Sequence, residues 1–78
     1  MNPRIHLIAT SLPDDDKMLV EIYIDGEALA ELVEDTPSHQ LVIYGKVRDK
    51  PWSFPSMLFT EALEAATIRL DRLIPRRA

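Results

Sequence analysis

Residues 25–39 read Asp25-Gly26-Glu27-Ala28-Leu29-Ala30-Glu31-Leu32-Val33-Glu34-Asp35-Thr36-Pro37-Ser38-His39, and the fold turns on whether this stretch is helix or strand. Ala28, Leu29, Leu32 and Val33 recur at the spacing of one helix face, with Glu27, Glu31 and Glu34 turned outward. Asp25 is placed to cap such a helix, and Glu27 sits where the helix dipole favours negative charge. Asp35-Thr36-Pro37-Ser38 would stop it after about two or three turns. The spacing therefore predicts a short helix, with Asp25-Gly26 ending the strand before it and not forming the centre of a tight hairpin.

On the N-terminal side, Met18 to Ile24 alternates, Val20, Ile22 and Ile24 facing one way and Leu19, Glu21 and Tyr23 the other. Arg4 to Thr10 alternates as well, with Ile5, Leu7 and Ala9 on one side. Ser11-Leu12-Pro13-Asp14-Asp15-Asp16 separates the two, which predicts a hairpin of residues 4–10 against 18–24. On the C-terminal side, Gln40 to Val47 reads as a third strand, parallel or antiparallel to the second. Gly45 inside it suggests a bulge or a close backbone approach. A proline-bracketed loop, Pro51-Trp52-Ser53-Phe54-Pro55, leads to Ser56, placed to cap a helix over 57–74. Its stripe is Phe59, Ala62, Leu63, Ala66, Leu70, Leu73 and Ile74, and Pro75 ends it. The expected architecture is an α+β fold with elements in the order ββαβα: a three-stranded sheet and a long C-terminal helix packed on one face. Residues 1–78 form one small domain, with 1–3 and 75–78 expected to fray.

Charge is unevenly distributed. From Asp14 to Asp35 nine acids stand against Lys17 alone, whereas residues 36–78 carry a net positive charge inside a chain of net charge −4. The acids are interleaved with apolar positions, so they read as a shaped surface and not as a tail. There is no cysteine, which excludes disulfides and thiolate metal sites. No run is long enough to span a bilayer and the N-terminus does not read as a signal peptide, so a cytoplasmic protein is expected.

The search for chemistry is largely negative. Asp14-Asp15-Asp16 lacks the alternate ligands, glycine and closing glutamate of a calcium loop; a solvated turn accounts for it. His6 and His39 have no cysteine and no HExxH pairing, so no metal is expected. Gly26 and Gly45 make no phosphate loop, and no cofactor is expected. The serines lack a nucleophile elbow, and the chain is expected not to be an enzyme. Lys46, Arg48 and Lys50 beside Trp52 and Phe54, with Arg69, Arg72, Arg76 and Arg77, have the composition of a single-strand binder. The acidic half repels the same polyanion, so nucleic acid is the third choice. Trp52 and Phe54 read either as interface anchors or as a cover over the open edge of the core.

The strand-and-turn stretch MLVEIYIDGEALAELV, residues 18–33, and the helical FTEALEAATIRLDRL, residues 59–73, together resemble the small acidic immunity proteins that accompany bacterial polymorphic toxins. The resemblance implies a cytoplasmic, non-catalytic protein that binds a basic toxin surface. It fixes no functional residues. The expected function is a protein-binding domain presenting Asp14, Asp15, Asp16, Glu27, Glu31, Glu34 and Asp35 to a basic protein partner, with Trp52 and Phe54 as apolar anchors. A homo-oligomeric accessory domain is the alternative: a small core gains by burying more surface, and the acidic block could meet the basic half of another copy.

Overall fold

The computed structural model describes residues 1–12, 16–45 and 51–74. It contains four strands, β1 (Ile5–Ser11), β2 (Met18–Ile24), β3 (Glu27–Val33) and β4 (Gln40–Ile43), followed by one helix, α1 (Ser56–Leu73). The strands form a single antiparallel sheet in the order β1-β2-β3-β4, each paired with its neighbour in the chain. The helix lies across one face, over β2 and in contact with β1 and β3.

The three-stranded ββαβα expectation is overturned at Glu27–Val33, which is a strand and not a helix. Two local causes explain this. Asp25 has φ of 53° and Gly26 of 82°, so both centres of the two-residue turn are left-handed, the pattern of a type I′ hairpin. That turn matches the right-handed twist of paired strands, and it joins Ile24 directly to Glu27. A bulge then shifts the register: Tyr23 faces Ala28 but Ile22 faces Ala30, leaving Leu29 as the extra residue. Leu29 and Ala30 are both buried in consequence, and two adjacent apolar residues within an alternating strand imitate a helix stripe.

The core is the helix-covered face of the sheet. Ile5 lies opposite Ile24, and Ile22 stands between Leu7 and Ala30. Onto these pack Leu58, Ala62, Ala66 and Leu70, which recur every four residues on one side of α1. Ala62 and Ala66, fully buried, let the helix backbone approach the sheet closely. Ser56 is the first helical residue and not its cap; Pro55 precedes the helix without a side-chain cap bond. Gly45 lies beyond the end of β4, and a Cβ there would meet nothing within 4 Å, so neither bulge nor close approach accounts for it.

Asn2 ties the start of the chain to the helix. Its N–H donates to Glu61 Oε2 at 2.8 Å, its Oδ1 accepts from the Arg4 N–H, and its carbonyl accepts from the Ile5 N–H. α1 therefore begins over the Ile24–Glu27 end of the sheet. Its last turn reaches the opposite end, where His39 Nε2 and Asp71 Oδ1 lie 2.7 Å apart.

Candidate functional site

The acids predicted to form one face are divided by the sheet. Glu27 stands at the hairpin end, while Glu34 and Asp35 stand beyond the other end of β3, about 20 Å away at the rise of a strand. Glu31 is on the sheet face away from the helix, directly opposite Glu21. Tyr23 donates its hydroxyl to Glu21 Oε2 at 2.8 Å, and Tyr44 donates to Glu31 Oε2 at 3.2 Å. Burial, then the charges of Glu31 and Glu21, push the Tyr44 phenol up to about 12. The Tyr23 phenol is also raised, first by its hydrogen bond to Glu21. Asp16 is exposed next to the described end of the β1–β2 connection; Asp14 and Asp15 lie outside the described residues.

Glu34 has local work. Its Oε1 accepts the Met18 N–H at 2.9 Å and its own N–H donates to the Met18 carbonyl, so it closes the end of the β2–β3 ladder. Asp35 Oδ1 accepts the Thr36 N–H and lies 3.8 Å from Lys17 Nζ. Trp52 and Phe54 sit with the first turns of α1. The Trp52 and Phe54 rings meet edge-on at 6.2 Å between centroids, Phe54 lies 6.4 Å from Phe59, and both loop aromatics are half-buried against the core. They are thus at the opposite end of the sheet from Glu34 and Asp35. Of the basic residues considered for nucleic acid, Arg69 donates to the Leu7 carbonyl at 3.1 Å. Lys46, Arg48, Lys50, Arg76 and Arg77 lie outside the described residues.

A concave site is present among the described residues, and little in the local sequence pattern marks it. Between the last turns of α1 and the β3–β4 connection runs a groove of about 670 Å³. Leu32, Leu41, Leu63 and Ile74 supply its apolar lining, and Glu34, Asp35 and Asp71 its carboxylates. His39 ties the two sides together. Its Nδ1 accepts the Asp35 N–H at 3.3 Å and its Nε2 meets Asp71, which assigns the ring proton to Nε2. Among the described residues no group of three or more histidine or acidic side chains is arranged to hold a metal ion. No helix of the described residues is long and apolar enough to cross a membrane.

Two groove residues had no local signal. His39 precedes a strand and Asp71 ends a helix, 32 positions apart, and only the return of α1 across the sheet joins them. The available hint was on the helix: Leu63, Thr67 and Asp71 continue one side at four-residue spacing, and that side turns polar toward its end. Comparison of the chain with protein-family models, with characterised proteins and with solved structures gives no match.

Proposed function

We propose that this chain is a non-catalytic protein-binding domain that takes a basic, partly apolar segment of a partner protein into the groove between α1 and the β3–β4 connection. The observation that carries this reading is the groove's composition: an apolar lining of Leu32, Leu41, Leu63 and Ile74 beneath the carboxylates of Glu34, Asp35 and Asp71. An apolar lining supplies affinity, and a rim of one sign selects an opposite charge and speeds encounter. Glu34 and Asp35 are the residues of the expected acidic surface that this proposal retains. Trp52, Phe54 and Glu27, at the far end of the sheet, are not part of the proposed contact. A cytoplasmic setting and a toxin-like basic partner, as in immunity proteins, belong to the same proposal.

Capture from a native lysate, followed by measured rebinding of the purified partner, tests it. Thr67→Arg places a bulky base in the groove lining without touching the buried helix face. Binding should fall at least tenfold in this variant, and association of the native chain should slow with salt. Rebinding indifferent to Thr67→Arg would remove the groove from the account; an association rate indifferent to salt would remove its charge.

A further inference from the structure

We propose that two copies of this chain pair through β4, antiparallel about a two-fold axis at Val42, to form one eight-stranded sheet. The proposal rests on the backbone of β4, and Leu41 is the strand residue it shares with the lining of the groove.

The outer edge of β4 is defined by its pairing with β3. The Tyr44 N–H donates to the Leu29 carbonyl at 2.9 Å, so the backbone groups of Gln40, Val42 and Tyr44 point toward β3. Those of Leu41 and Ile43 therefore point away from the sheet. Among the described residues no strand pairs with this side of β4. The four residues Gln40, Leu41, Val42 and Ile43 are all exposed, with Ile43 59 % and Val42 42 % accessible. They include no charge, no proline and no bulge, the devices by which edge strands ordinarily repel a second strand.

A second copy fits this edge in both hydrogen bonding and side chains. Centred on Val42, the pairing sets Leu41 opposite Ile43 of the other copy, twice, and each such pair exchanges two backbone hydrogen bonds. The four aliphatic side chains then lie together on the helix-bearing face, where α1 leaves β4 uncovered. The two Val42 side chains meet on the opposite face, with Gln40 opposite Tyr44. No like charges are brought together along the strand. The helices do not collide: α1 lies over β2, and five strand spacings place the two helices about 24 Å apart, well beyond the 8–10 Å of packed helices.

The test uses the whole chain. Sedimentation at concentrations up to about 100 μM should give a dimer. Ile43→Pro should give a monomer of unchanged circular dichroism, because the lost N–H faces outward and the β3 ladder is kept. Because the chain has no cysteine, Val42→Cys reads the register directly. Directly opposed, non-hydrogen-bonded residues are close enough for a disulfide, so mild oxidation should yield a covalent dimer, while Ile8→Cys on the other edge strand should not. A native chain that stays monomeric would leave this edge to a foreign strand and overturn the proposal. So would a dimer that survives Ile43→Pro, or one that forms without the Val42→Cys crosslink.

Discussion

The two edges of the sheet are treated differently. At β1 the outward Ile5 N–H donates to the Asn2 carbonyl and the outward Leu7 carbonyl accepts from Arg69, so the chain uses its own N-terminus and its helix to occupy that edge. The bidentate Arg4–Asp25 pair at 2.8 Å adds charge at the same corner. At β4 no further strand among the described residues pairs with the outer edge, and its residues, Gln40 to Ile43, carry no charge. The difference teaches that the helix guards only what it covers. α1 packs over β2, sends Arg69 to one side, and stops short of the other.

The strongest way to break this contrast is to loosen α1. Leu70, fully buried, holds the helix onto the sheet one residue from Arg69. Leu70→Ala should cost about 2–5 kcal/mol in urea unfolding and should expose the β1 edge as well, read as faster amide exchange at Ile5. A loss below about 1 kcal/mol would mean that α1 is not what closes the core. Arg69→Met is narrower, since it removes the guard without undocking the helix. It should cost about 1 kcal/mol and increase concentration-dependent association beyond a β4-linked dimer. Association no greater than in the native chain would show that Asn2 alone suffices to protect β1.

Nearer β4, the opposed Glu21 and Glu31 make the uncovered face costly to itself. Glu31→Gln should stabilise the fold by about 0.2–1 kcal/mol at pH 7, measured at low salt. Burial of Tyr44, and then the same pair, set the alkaline limit. A phenol whose pKa is raised on folding stabilises the fold while protonated. The Tyr44 contribution is therefore complete below the ordinary tyrosine value near 10 and is lost as pH rises from there through about 12. Tyr44→Phe should flatten that part of the stability profile, and an unchanged profile would place the alkaline loss elsewhere. The smallest effect is expected at Met57, 80 % exposed in the first turn of α1: Met57→Lys should stay within about 0.5 kcal/mol.

Much of the fold was legible where one pattern ran uninterrupted. β1, β2 and α1 alternate or recur cleanly, and their spans follow from Ile5, Val20, Ile22 and the four-residue spacing of Ala62, Ala66 and Leu70. β3 failed because its bulge places Leu29 beside Ala30, where periodicity cannot distinguish a strand with one extra residue from a short helix. Asp25-Gly26 held the better signal: a left-handed pair between apolar runs outweighs a two-turn amphipathic pattern, since so short a helix is weak by itself. The groove was less legible because it is a product of topology. Glu34 and Asp35 could be named from composition, whereas His39, Asp71 and Leu63 meet only after the sheet has formed and the helix has crossed it.

The order β1-β2-β3-β4 also bears on how the molecule is made. Every strand closes onto the one just before it, and closing a short loop is fast. Among the described residues the helix makes the long-range return, joining Asn2 to Glu61 and Leu7 to Arg69. During synthesis the sheet can therefore form before α1 is available to cover it, its inner face of Val20, Ile22, Ile24 and Leu32 wet until the helix docks. That interval, rather than the finished fold, is when the protein most needs protection from its neighbours.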